Sequence, residues 1–341
     1  MSVAAKAAGG AAGVAGVAGA AGAATADPAA PCGAALGIDL GGTKIEAALL
    51  DAAGTVLWTQ RLRTPAGDYA ATVRAIAALV AAARGVAGGP VSVGIGTPGT
   101  ATPAGLMKNC NSTCLNGQPL QDDIEAALGQ RVVVMNDANC LALSEATDGA
   151  GAGSPVVFAA ILGTGTGAGI AVHGRVLSGP NGLAGEWGHN PLPWAETGHD
   201  PCWACYCGRS GCIESLICGP GLARDHALRH GGTLDGAAIA QGAAAGDEAC
   251  SATLARHSHR LARALASVIN LLDPDVIVLG GGVSLMPHLY TEVPALWGRW
   301  VFAAGAQTRV NTPVNTRLLP ALHGDASGVR GAAWVGRAGC P

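Results

Sequence analysis

Aromatic side chains are scarce. Phe, Trp and Tyr make up 4% of the 341 residues, so a core must be packed mainly with Ala, Val, Leu and Ile. Charge is scarce too: Asp, Glu, Lys and Arg are 13% of the chain and the net charge is −3. There is no basic run or stripe, which removes the electrostatic footprint of a nucleic-acid binder, and no acidic tail. No segment reaches the ~18 uninterrupted apolar residues that a membrane span needs. An even cysteine count is also missing. Eleven cysteines spread through a chain of this length do not make a secreted disulfide framework. A reducing, cytoplasmic setting is the expectation, and it makes the cluster at 202–212 a candidate for metal.

Glycine is abundant, with 53 residues, many in short clusters between apolar runs where tight turns or bound phosphates use them. Residues 1–33 are an Ala/Gly tract, expected to be a disordered extension or a misplaced start; it is barely hydrophobic enough for an export signal. Beyond it, two stretches share a design. ALGIDLGGTKIEAALLDAAGTVLWTQ (35–60) reads strand, Gly-rich turn, strand, second turn, strand. VVFAAILGTGTGAGIAVHGRVLSG (156–179) reads the same way. Helices are expected over 69–84, 119–128, 213–230, 247–272 and 326–338, with further strands at 91–99, 131–139 and 275–282. Strands alternating with helices imply α/β architecture, and the repeated unit implies two related lobes facing across a cleft.

GIDLGGTK nearly mimics a P-loop, but Thr43 separates Gly42 from Lys44 and a strand follows where a helix should. GTGTGAG likewise fails the dinucleotide fingerprint. The hairpin turns still suit a triphosphate. Gly41, Gly42, Gly163 and Gly165 let backbone N–H groups approach phosphate oxygens, while Thr43 and Thr164 add hydroxyls. Asp39 is placed to hold Mg²⁺ through water, and Lys44 to neutralise a phosphate. Gly281 and Gly282, ending a buried strand, offer a flat rest for a nucleoside.

Taken in order, GIDLGGTK, GIGTPG, NDANC, LGTGTGAG, GEWGHNPL, CYCGRSGCIE and DPDVIVLGGG resemble the ROK family (repressor, open reading frame, kinase). The likeness runs from about Ala35 to Trp334. It implies the two-lobed, actin-like ATPase fold, a duplicated ribonuclease H-like α/β unit with an interlobe cleft. The lobes are expected at 34–138 plus 326–341 (small) and 139–325 (large, with a structural zinc site). ATP and Mg²⁺ are the implied cofactors, a hexose the partner, and a homodimer the assembly. The family's repressors carry an N-terminal helix-turn-helix, for which the uncharged Ala/Gly tract offers no phosphate-neutralising residues.

Cys205, Cys207 and Cys212 form C-x-C-x₄-C, with His189 sixteen residues before the first. Three Cys and one His make a closed tetrahedral set of the structural zinc type. A C-x-C pair is too close for an easy disulfide, and Cys202 offers an alternative first ligand. By resemblance, Zn²⁺ takes His189, Cys205, Cys207 and Cys212, and His189 offers its second ring nitrogen to a sugar hydroxyl. Asn136 and Asp137 follow a three-valine strand, at its carboxyl end. The resemblance makes Asp137 the general base that takes the hydroxyl proton during phosphoryl transfer; a helix cap before ANCLALSEA is the structural alternative. It also places Asn111, Asn136, Asp137, Glu186, His189 and Glu214 around the sugar. NSTCLNGQPL, AGEWGHNPLPW and HGDASGVRGAAW resemble the family's manno(fructo)kinase branch, which implies ATP-dependent phosphorylation of D-fructose to fructose 6-phosphate, with mannose as a second substrate. Glucokinase and N-acetylhexosamine kinase are the alternatives within the family.

Overall fold

The computed structural model describes residues 33–110, 112–302 and 313–339; the expected N-terminal extension lies outside them. Strand β1 (Ala34–Leu40) turns at once into β2 (Lys44–Leu50) and then β3 (Val56–Arg63). Helix α1 (Tyr69–Ala87) follows. The Asp68 carboxylate caps it by accepting the Ala71 N–H at 2.8 Å, and Gly88 ends it at a φ of 69°, the αL geometry that glycine adopts freely. Then come β4 (Val91–Thr97), a two-stranded ribbon of β5 (Thr100–Ala101) and β6 (Met107–Lys108), α2 (Leu120–Leu128), β7 (Val133–Asn136) and α3 (Asp137–Thr147). The first sheet is ordered β3-β2-β1-β4-β7, with the hairpin strands antiparallel and the last two parallel to β1.

The second half repeats the design: β8 (Val156–Leu162), β9 (Thr166–Val172) and a two-residue β10 (Arg175–Val176). After the cysteine loop come α4 (Ile213–Ile217), α5 (Gly219–His230), α6 (Gly236–Ala244), α7 (Glu248–Leu272), β11 (Val276–Gly280), α8 (Leu289–Trp297), β12 (Arg317–Pro320) and α9 (Ser327–Ala338). The second sheet is ordered β10-β9-β8-β11-β12, with the same directions. The internal echo is therefore a duplicated ribonuclease H-like unit.

Several boundaries differ from the sequence expectation. The helix expected over 213–230 breaks at Cys218, which caps α5 ahead of Pro220; proline removes a helical N–H donor and suits a fresh first turn. The strand expected to 139 stops at Asn136 because that residue caps α3. Helix α6, largely Ala, and the short edge strand β12 carry too weak a pattern to be read beforehand.

The halves exchange helices. Helix α3 leaves the first sheet and packs on β8 and β9 of the second, while α9 follows the second sheet and packs on β1, β2 and β4 of the first. The two helices meet at backbone distance: a Cβ at Gly331 would lie 1.8 Å from the Cys140 carbonyl oxygen. A Cβ at Gly94 would likewise fall 1.9 Å from the Ala332 carbonyl oxygen. Among the described residues α1 meets the length and hydropathy of a membrane-crossing helix. It carries Arg74 and Arg84, and Ile76, Leu79, Val80 and Ala83 pack into the core of the first sheet.

Candidate active site

Asp39, near the end of β1, pairs with Glu46 of β2 and Gly96 of β4. One strand further, Thr97 of β4 pairs with Asn136, the last residue of β7, and Asp137 opens α3. Both aspartates thus stand at the carboxyl ends of strands in one sheet, the edge where open α/β sheets hold ligands. The helix cap is made by Asn136. Its Oδ1 accepts the N–H groups of Ala138 and Asn139 at 3.0 and 3.3 Å, and its Nδ2 donates to the Gly99 carbonyl at 3.1 Å. Asp137 accepts the Ala138 N–H at 2.8 Å. Loss of water, followed by the nearby Glu186 charge, raises its pKa to about 6. Burial and then the Asp137 charge raise Asp39 to about 6 as well. A carboxylate that is ionised but basic at neutral pH matches the requirement of a general base.

The opposite wall lies across β9. Gly185 has a φ of 95°, and a Cβ there would sit 2.1 Å from the Ala168 carbonyl oxygen. The segment can lie flat on the strand for that reason. Trp187 then packs edge-to-face on Phe158 at 5.5 Å, leaving Glu186 exposed and His189 partly exposed. Glu214, in α4, is buried; its Oε2 accepts the Thr166 N–H at 2.9 Å. A Cβ at Gly165 would lie 2.7 Å from that oxygen. Gly165, expected in a phosphate turn, is thus also required by the carboxylate beneath it.

Cys205, Cys207, Cys212 and His189 bring one ligand atom each to within 4.8 Å of every other. Cys207 Sγ lies 3.7 Å from Cys212 Sγ, and Cys205 Sγ lies 3.6 Å from His189 Nδ1. These separations match the edges of a tetrahedron, roughly 3.5–3.8 Å when the metal–ligand bonds are about 2.0–2.3 Å, so the donor set fits zinc. Cys202 is exposed and outside the set, which favours Cys205 as the first ligand. The loop is shaped by Cys205 N–H donating to the Arg209 carbonyl and by the Ala204–Ser210 bridge.

The Gly-rich turns follow β1 and β8, the corresponding strands of the two sheets. Gly42, Thr43 and Thr164 are exposed. Gly41 N–H donates to the Lys44 carbonyl and Gly163 N–H to the Gly165 carbonyl, both at 3.0 Å. Gly281 has a φ of 82°, and a Cβ there would lie 2.6 Å from the Leu162 carbonyl oxygen. The Gly281–Gly282 turn is thereby a neighbour of Gly163. The Lys44 ammonium pairs with Glu46 at 3.0 Å, alongside Arg61. Asn111 lies outside the described residues. The loop after it, Ser112 to Leu115, borders a cavity of about 230 Å³ shared with Leu40, Gly42 and Thr64.

Some residues close to the site announce no motif. Glu145 in α3 is fully buried, accepting from Ser327 Oγ at 2.7 Å, Ala150 N–H at 2.8 Å and Leu322 N–H at 3.1 Å. Asp200 accepts from Arg260 at 2.9 Å and Arg263 at 2.7 Å, clamping the approach to the cysteine loop onto α7. The available signal is chemical: a lone Glu among small residues, and Arg256, Arg260 and Arg263 at helical spacing.

The ROK family profile matches residues 35–338. This chain belongs to the ROK family. It is 36% identical over 304 residues to the N-acetyl-D-glucosamine kinase of Escherichia coli, covering 88% of this chain and 98% of that one. The Pectobacterium atrosepticum enzyme of the same name is 37% identical over 311 residues, 87% and 97% of the two chains. Among solved structures, a ROK hexokinase from Thermus thermophilus superposes with a TM-score of 0.76 at 30% identity over 89% of this chain and 97% of its own. A Streptomyces griseus ROK glucokinase in complex with glucose and AMPPNP gives 0.71 and 30%, over 90% and 100%. The chain is accordingly a ROK sugar kinase, an ATP-dependent phosphotransferase. The fructokinase expectation is overturned, because these full-length relatives are kinases of N-acetyl-D-glucosamine and glucose. Preference among hexoses rests on differences of about 1–3 kcal/mol, which short motif likenesses do not measure.

Proposed function

We propose that this kinase transfers the γ-phosphoryl group of ATP to the 6-hydroxyl of N-acetyl-D-glucosamine. The observation that carries the reading is the 36–37% identity over nearly the full length of N-acetyl-D-glucosamine kinases. The electrostatic coupling of Asp39, Asp137 and Glu186 in one site supports it. Asp137 takes the proton from the 6-hydroxyl as its oxygen bonds to the γ-phosphorus, and ADP departs as the bond to the β–γ bridging oxygen breaks. Glu186, Glu214 and the free ring nitrogen of His189 orient the other hydroxyls, with Asn111 and Asn136 completing the pocket. The turns at Gly41–Thr43 and Gly163–Gly165 hold the triphosphate, Gly281–Gly282 carry the nucleoside, and Lys44 contributes its charge once released from Glu46. When bound near Asp39, Mg²⁺ supplies positive charge to the phosphate oxygens. Zn²⁺ held by His189, Cys205, Cys207 and Cys212 would supply fixed aim to the imidazole. The small lobe in this reading is 34–138 with α9, and the large lobe is the remainder to 325.

The test is kcat/KM with ATP for N-acetyl-D-glucosamine, glucose, N-acetylmannosamine, mannose and fructose. N-acetyl-D-glucosamine is expected to lead, with glucose next; a lead of tenfold or more for any sugar outside that pair refutes the assignment.

A further inference from the structure

Tyr206 lies between two of the cysteine ligands, and its hydroxyl oxygen stands 3.0 Å from Nε2 of His189. The rings meet edge to face, 5.1 Å apart at 89°. His189 turns Nδ1 toward Cys205, so Nε2 is the nitrogen left for a sugar. Among the described residues the phenol oxygen has no other partner, and the residue is 77% exposed. The contact therefore lies on the open side of the imidazole, not in a packed core. The backbone on either side is pinned: Cys205 N–H donates to the Arg209 carbonyl at 2.8 Å and Gly208 N–H to the Cys205 carbonyl at 3.0 Å. Only side-chain rotation is needed to clear Nε2, and exposed side chains rotate within nanoseconds.

We infer that Tyr206 is an affinity-setting residue of the sugar subsite: its hydroxyl occupies the position of a substrate hydroxyl on His189 and must leave before the sugar binds. This inference rests on the sugar-kinase reading of His189. A site competent in only a fraction of molecules has its dissociation constant raised by the inverse of that fraction. A hydrogen bond of ordinary net strength makes that factor about 2 to 10. The sign separates this role from that of a sugar contact, whose loss would weaken binding.

The experiment compares wild type with Tyr206→Phe, which keeps the ring and removes the oxygen. Sugar dissociation constants are measured by calorimetry without ATP, using N-acetyl-D-glucosamine and glucose, on protein whose zinc content is matched. The expected result is tighter binding of both by about 2- to 10-fold, with the ratio of sugar KM to ATP KM falling by the same factor. Tyr206→Leu, which lacks the hydroxyl and the aromatic edge, is expected to shift in the same direction. Equal or weaker sugar binding by the Phe variant overturns the inference. Calorimetry needs no turnover: a wild type that binds these sugars but phosphorylates neither refutes the proposed function, while the ratio of dissociation constants still decides Tyr206.

Discussion

Replacing Asp137 by Asn separates chemistry, binding and stability in one variant. The amide keeps the shape and the acceptor for the Ala138 N–H, and Asn136 continues to cap α3. Loss of a general base costs about 10²–10⁴ in kcat, whereas Glu186, Glu214 and His189 still hold the sugar, so its dissociation constant stays within a few-fold. Stability moves the other way. Burial raises the folded-state pKa of Asp137 from 3.8 to about 6, so the native state binds this proton more tightly than the unfolded chain. The charged form is thus no burden below about pH 4, becomes one between 4 and 6, and is a full burden above 6. The shift corresponds to at most about 3 kcal/mol, and solvent access at the half-buried carboxyl keeps the contribution below that. Asn does not ionise, and its melting temperature is expected to exceed wild type by a few degrees at pH 8 and not at pH 4. In the wild type kcat/KM is flat above pH 7 and falls about tenfold per unit below 6. Single-turnover phosphoryl transfer, sugar calorimetry and thermal melts at the two pH values make the assay. More than a few per cent of wild-type kcat in the variant refutes Asp137 as base; an equal melting shift at both pH values refutes the burial account.

Cys207→Ser is expected to lower bound zinc from about one per chain and to raise sugar KM by about tenfold or more, the usual scale for disturbing a metal-site shell. Cys202→Ser is expected to retain the metal, and elemental analysis of both decides which cysteines ligate. Arg263→Ala removes a buried partner of Asp200 and is expected to cost about 3–5 kcal/mol, read as a lower denaturation midpoint. Burial opposes ionisation of Asp200, but hydrogen bonds from Arg263, the Glu196 N–H and Arg260 outweigh it and hold the pKa at about 2. Its contribution is full above about pH 4 and lost as pH falls toward 2, so the gap between variant and wild type should narrow on that limb.

The duplicated hairpin was legible because both copies carry the same order of apolar run, Gly-rich turn and apolar run, and β-pairing follows locally from it. The cysteine cluster was legible because metal geometry limits spacing, and the coordinates bring Cys205, not Cys202, into it. Lys44 and Glu46 are two apart on one strand face, and their pairing is visible only once β2 exists. Glu145 and Asp200 gave no motif because their partners lie 182 and 63 residues away along the chain. Tyr206 stood in the quoted octapeptide, yet a side chain between two ligands reads as spacer until its hydroxyl is seen on His189. Sugar identity was illegible for an energetic reason: the carboxylates and imidazole proposed to hold a hexose dominate the pattern, and the small contacts that choose among hexoses do not.

The glycines at Gly94 and Gly331 and the position of Asp137 have one cause. Exchanging α3 and α9 between sheets forces helix backbones onto strand backbones, and side chains at Gly94 and Gly331 would exclude that packing. The same exchange makes α3 the continuation of β7 while it rests on β8 and β9. Asp137 is its first residue, three positions before the contact of Cys140 with Gly331. Glu145, eight residues along the same helix, ties it to Ser327 at the start of α9. Any rotation of one lobe against the other about this crossing displaces a group in proportion to its distance from it. Asp137, three residues from the crossing, is displaced little by such a rotation. Lobe closure of the kind that excludes water from phosphoryl transfer would then bring the triphosphate to a carboxylate that is already in place.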